Sequence, residues 1–233
     1  MPTTLHTFEN GSALAAALAD KVAGVLSAAI AARGKATLAV SGGSTPKAFF
    51  KALSGCPVDW SNVTVTLVDE RYVPADDPRS NHKLVQENLL TGKAAAATFL
   101  PLYYEAADAA AGAVIASTET ASVIERPFDA AILGMGTDGH TASFFPGGDN
   151  LATALAADTP RGVIAMQAEG AGEPRVTFTF SALQDADLLV LHIEGDGKMT
   201  VLKKAEEDGA EEDMPIRAIL RRAASPVEIY WAP

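Results

Sequence analysis

With 233 residues, 48% hydrophobic and 20% charged, the chain fits one large α/β domain and has apolar material enough for a sizeable core, which excludes global disorder. A formal net charge of -11 leaves no general basic face, so neither nucleic-acid nor membrane binding is expected. A single cysteine, Cys56, excludes an intramolecular disulfide, and no Cys/His grouping has zinc spacing.

Residues 1–6, Met1-Pro2-Thr3-Thr4-Leu5-His6, lack a basic segment followed by an apolar core, so a secretion signal is not expected and the location reads as cytoplasmic. Ser12 reads as the cap of an alanine-rich helix that ends near Arg33-Gly34. Asp20 and Lys21 interrupt that run, which argues against a membrane span. Residues 37–40 form a short apolar strand, and Pro46 then opens a helix through Leu53. Residues 63–68 are β-branched and read as a strand, whereas 81–90 and 106–119 read as helices. Strand signals recur at 128–133, 163–166, 175–180 and 188–193. Helices over 198–208 and 216–222 and a strand over 227–231 complete the series. The acidic segment 205–213 reads as a solvated helix end and loop.

Alternating strands and helices imply a mostly parallel sheet covered on both faces. Four polar motifs each begin where a strand stops. They are Ser41-Gly42-Gly43-Ser44-Thr45-Pro46, Asp69-Glu70-Arg71, the loop after Leu133, and Glu194-Gly195-Asp196-Gly197-Lys198. Open parallel sheets bind ligands beyond the carboxyl ends of their strands, so the four motifs are expected to share one rim and one site.

The loop Gly134-Met135-Gly136-Thr137-Asp138-Gly139-His140-Thr141 carries the most chemistry. Glycine permits positive φ and close approach of a ligand, and an imidazole exchanges protons near neutral pH. Gly134, Gly136 and Gly139 match the spacing of a dinucleotide fingerprint. That motif requires the first βα turn and a full helix after it, and Pro146 forbids the helix, so no nicotinamide or flavin cofactor is expected. Gly42, Gly43, Ser44 and Thr45 lead into a helix N-terminus, where free N–H groups favour an anion such as phosphate, although a simple helix cap has the same composition. Arg71, Arg175 and Lys198 are the cations nearest the rim and suit a phosphate dianion, each being an ordinary surface cation if taken alone. Cys56 reads as a loop thiol without a basic neighbour, and His192, inside an apolar strand, as a core histidine.

These segments, together with Tyr72-Val73-Pro74, Ser80-Asn81, Thr141-Ala142-Ser143-Phe144-Phe145-Pro146 and Pro174-Arg175-Val176-Thr177, occur in one order along nearly the whole chain. In this the sequence resembles the glucosamine-6-phosphate isomerase/6-phosphogluconolactonase family, on its lactonase side. Phe144, where the family often has leucine, and the extra Pro78-Arg79 are the departures. The resemblance implies a three-layer, modified Rossmann-like α/β fold over residues 1–233, a sugar 6-phosphate lactone of the oxidative pentose phosphate pathway as substrate, and no cofactor. The isomerase/deaminase branch resembles His-Ile-Ala-Phe-Asn-Glu-Pro after the glycine, and this chain lacks that acid. A sugar-phosphate-sensing domain is the non-enzymatic alternative, which would need a DNA-binding segment ahead of it. On the lactonase reading His140 is the base toward water, Asp138 orients it, and Asp69 is the rival base. Arg71, Arg175, Lys198 and the Ser41–Thr45 loop hold the phosphate and hydroxyls of a monomer or weak oligomer.

Overall fold

The computed structural model describes residues 3–233, so Met1 and Pro2 of the N-terminal reading lie outside the described residues. In chain order the elements are β1 (Thr3–Thr7), α1 (Gly11–Arg33), β2 (Ala36–Val40), α2 (Lys47–Ser54), β3 (Val63–Leu67), β4 (Asp69–Arg71) and α3 (Asn81–Asn88). β5 (Thr98–Leu100), α4 (Ala109–Val123), β6 (Ala130–Leu133), α5 (Leu151–Leu155), β7 (Val163–Met166) and β8 (Arg175–Phe178) follow. The last elements are α6 (Phe180–Leu183), β9 (Leu188–Glu194), α7 (Asp196–Glu206), α8 (Ile216–Arg222) and β10 (Val227–Ala232).

Seven strands form one sheet in the order β1-β10-β9-β6-β2-β3-β5, every pairing parallel. β2 and β6 are buried along their whole length, as near-continuous apolar strands in a parallel sheet must be. Register sets Leu38 beside both Val65 and Ala130, and Ile132 beside Val190, so four strands reach their carboxyl ends together. The expected mostly parallel sheet is therefore present, with one addition. β4, β8 and β7 make a separate three-stranded antiparallel sheet, so the segments at 163–166 and 175–180 leave the main sheet, and Asp69-Glu70-Arg71 is a strand where a loop was expected.

The cap of α1 is Asn10, whose side chain accepts from the Ala13 N–H at 2.9 Å, and Ser12 lies one turn position inside the helix. Asparagine takes the role because its extended backbone stands just ahead of the first helical residue. Gly34, at φ 77°, closes the other end as expected. α1 is long and apolar enough to cross a membrane by composition alone, but Leu14, Leu18, Val22 and Leu26 are fully buried in the protein core. Repetition every fourth residue places them on one stripe.

The acidic segment after α7 is clasped by arginines. Arg217, itself buried, donates to the carbonyls of Lys204, Ala205 and Ala210, and Arg221 donates to those of Glu207 and Gly209. Carbonyls left free at the end of a helix need donors, which a charged fork supplies several at a time. This clasp delivers Met214 and the start of α8 to the glycine loop, where the Ile216 N–H donates to the Gly139 carbonyl at 2.9 Å.

Candidate active site

Ser41 joins the loops that follow β2 and β6. Its hydroxyl donates to the Ile132 carbonyl at 2.9 Å and accepts from the Gly134 N–H at 3.0 Å. Gly42 follows, and a β-carbon there would lie 1.9 Å from Asn81 Oδ1, so only glycine admits that side chain. Gly43 takes φ 91°, and Ser44 and Thr45 then reach the start of α2. Pro46 stands at the cap position, one residue ahead of the helix it was expected to open.

The loop after β6 folds back on itself. The Gly136 N–H donates to the His140 carbonyl at 2.8 Å, and Gly139 makes the reversal at φ 82°. That turn brings Asp138 Oδ1 within 2.6 Å of His140 Nδ1. The hydrogen bond from the imidazole holds the Asp138 carboxyl down to about 2, although partial burial pushes the other way. An ionised carboxylate can only accept, so Nδ1 carries the proton and Nε2 is the nitrogen left for a reacting group. Phe145 lies against the imidazole, ring centroids 4.3 Å apart. Ala142 keeps φ 50°, a strained backbone for a residue with a side chain, two positions past the histidine.

The second sheet supplies the arginines. Arg71 on β4 and Arg175 on β8 are direct cross-strand partners, a like-charged pairing that is unfavourable without a counter-charge. Each has a buried Nε with no hydrogen-bond partner. Burial is the main cause holding the Arg175 guanidinium below its ordinary value; Asp69 opposes this and Arg71 adds to it. Lys198, the third residue of α7, donates from Nζ to the Met135 carbonyl at 2.7 Å, and burial pushes its ammonium down against the pull of Asp138.

One cavity of about 290 Å³ is lined by His140, Asp69, Arg71, Arg175, Lys198 and the residues 42–45. All the expected site residues therefore converge on this cavity except Asp138, which does not line it and stands behind His140 in hydrogen-bond contact. Three residues outside the expected set complete the construction. Asn81 lines the cavity and donates to the Asp69 carbonyl at 2.9 Å. Ser143 donates to Asp69 Oδ2 at 2.6 Å. Glu70, fully buried, accepts from the N–H groups of Arg71, Asn81 and His82 and from the Ser80 hydroxyl, and so sets α3 in place. Burial pushes the Glu70 carboxyl up, while those four hydrogen bonds pull it down. All three lie inside the motifs read from the sequence, but nothing in a linear spacing marks Glu70 as the acceptor that caps α3.

His192 lies buried on β9 with Nε2 3.0 Å from Glu194 Oε1, and it also borders the cavity, which the core reading did not anticipate. Burial pushes the Cys56 thiol up, away from the reactive thiolate.

A carboxylate-backed imidazole sharing a cavity with two arginines and a lysine, on the carboxyl rim of a parallel sheet, defines an α/β enzyme that works on a small anionic molecule. Residues 9–231 match the family model described as glucosamine-6-phosphate isomerases/6-phosphogluconolactonase. The chain belongs to that family. It is 66% identical over 233 residues to a 6-phosphogluconolactonase of Rhizobium meliloti, covering 100% of both chains. A 6-phosphogluconolactonase of Mesorhizobium japonicum is 50% identical, with 98% of this chain and 94% of that one covered. The crystal structure of a 6-phosphogluconolactonase from Shewanella baltica superposes with a TM-score of 0.95 at 41% identity, over 99% of this chain and 98% of that one.

Proposed function

We propose that this chain, acting as one domain in the cytoplasm, hydrolyses 6-phospho-D-glucono-1,5-lactone to 6-phospho-D-gluconate, the lactonase step of the oxidative pentose phosphate pathway. The observation that carries the phosphate requirement is the facing pair Arg71 and Arg175, two guanidiniums with buried, unpartnered Nε atoms on the floor of the cavity. A buried charged donor without an acceptor is costly, and a dianion relieves both at once. Lys198 and the N–H groups of residues 42–45 add donors to the same cavity.

A δ-lactone is an activated ester and needs a water, a base and support for an oxyanion. His140 Nε2 takes a proton from water as the water oxygen bonds to the lactone carbonyl carbon. The carbonyl electron pair moves onto oxygen, where N–H groups of the glycine loops stabilise it. When that pair returns, the bond from the carbonyl carbon to the ring oxygen breaks. The imidazolium passes its proton to the ring oxygen, which becomes the free hydroxyl of the open-chain acid. Asp138 keeps the imidazole in the tautomer this sequence needs and stabilises its charged form. No further co-reactant enters the balance.

The test is turnover of freshly prepared 6-phosphogluconolactone beside gluconolactone, with spontaneous hydrolysis subtracted. The phosphorylated lactone should be turned over with much the higher kcat/KM, and His140→Ala should lower kcat by about 10²–10⁴-fold with little change in KM. Equal kcat/KM for the two lactones would remove the phosphate floor from this reading.

A further inference from the structure

The hydrolytic scheme leaves one cavity carboxylate without a step. Asp69 is 7% exposed and lines the cavity beside Arg175. Its Oδ2 is occupied, since the fully buried Ser143 donates to it at 2.6 Å and Arg175 Nη1 lies 3.9 Å away. Its backbone is occupied too, through the hydrogen bond from Asn81 Nδ2 to its carbonyl. Ser143 is in turn fixed by its own N–H, which donates to Thr177 Oγ1 at 3.3 Å on β8. Asp69 Oδ1 makes no hydrogen bond among the described residues.

We propose that Ser143 is a positioning residue that ties off one oxygen of Asp69, so that the other accepts a hydrogen bond from a ring hydroxyl of the lactone. This makes Asp69 a selector of hydroxylated substrates and leaves the base role to His140. The inference rests on the lactonase reading and adds to it a determinant of specificity. An ionised carboxylate has acceptor capacity only, and a carboxylate held at one oxygen presents the other in a fixed direction. The lactone ring offers hydroxyl donors, and a site built around such a hydrogen bond discriminates strongly against the analogue that lacks it.

The experiment compares 6-phosphogluconolactone with its 2-deoxy and 3-deoxy analogues in wild type, Ser143→Ala and Asp69→Asn, each checked for an unchanged thermal midpoint. In wild type, one deoxy lactone should have a kcat/KM lower by about 10–100-fold, the range of one hydrogen bond to a charged group. Asp69→Asn should reduce that ratio to about threefold or less by lowering kcat/KM for the parent alone. Ser143→Ala should narrow it in part, through a raised KM for the parent, while kcat on the deoxy lactone stays at the wild-type value. An unchanged ratio in Ser143→Ala overturns the positioning role, and an unchanged ratio in both variants overturns the selector. Loss of turnover of parent and deoxy lactones alike in Asp69→Asn would make Asp69 the base and overturn the proposal. Should Ser143→Ala fail to fold, Asp69→Asn decides the selector by itself. A wild-type chain inactive on every lactone would sink the lactonase reading first, an outcome distinct from all of these.

Discussion

The chemistry of His140 depends on the absence of a side chain at Gly136. A β-carbon on Gly136 would lie 2.1 Å from His140 Nδ1 and 2.5 Å from Asp138 Oδ1, closer than such atoms approach. Gly136→Ala should therefore displace the imidazole and lower kcat by at least about 10-fold, toward the 10²–10⁴-fold loss of a missing general base. Its thermal midpoint should fall, because the displaced imidazole gives up its contact with Asp138, and a wild-type kcat would show that the glycine is there for the turn alone. Asp138 gives a second test, in pH. Its folded carboxyl is held down to about 2, below the unfolded value, so the contact contributes stability that is present above the ordinary carboxylate range and lost as pH falls through about 2. The difference in urea midpoint between wild type and Asp138→Asn should narrow as pH drops from about 4 toward 2. A difference that widened as pH fell from about 4 toward 2 would contradict the carboxylate–imidazole contact. The pairing of these two side chains was only half legible in the sequence. Spacing of two residues does not by itself bring side chains together; the left-handed Gly139 between them does.

Whole elements were legible where they bury an apolar stripe or run, as in α1, β2 and β6, and illegible where polar contacts define them. β4 consists of Asp69, Glu70 and Arg71, so no hydrophobic alternation marks it as a strand, and only its pairing with β8 makes it one. Burial of Glu70 in that strand has a consequence for α3. Its carboxylate satisfies the otherwise free N–H groups of Asn81 and His82 at the helix start. Glutamine has one acceptor oxygen fewer and turns an NH2 toward donors. Glu70→Gln should therefore destabilise the protein by about 1–3 kcal/mol, the cost of leaving buried donors unmet. Because Asn81 reaches into the cavity against Gly42, the same variant should raise KM more than it lowers kcat. An unchanged urea midpoint would mean that the four hydrogen bonds are replaceable by water.

At the scale of the molecule, the parallel order β9-β6-β2-β3 turns motifs far apart in sequence into neighbours on one rim. That convergence could be anticipated, because each motif follows a strand and the strands alternate with helices. The floor of the site could not, since it comes from a second sheet whose strands oppose two arginines. The chain as a whole carries a net charge of -11, yet this cavity gathers Arg71, Arg175 and Lys198. An anion that fits should bind the folded state alone and stabilise it by mass action, by about 2.7 kcal/mol at 100 times its dissociation constant. For a chain of this size that corresponds to a rise in thermal midpoint of about 5–10 °C. The product 6-phosphogluconate should give this shift, and gluconate at equal concentration should give little, since it lacks the dianion the arginines await. Arg175→Ala should abolish most of the shift, and Arg71→Ala and Arg175→Ala should each weaken the phosphorylated ligand by about 1.5–3 kcal/mol. Equal shifts from phosphorylated and unphosphorylated acids, or a full shift in Arg175→Ala, would place the anion elsewhere and leave the facing arginines without a ligand.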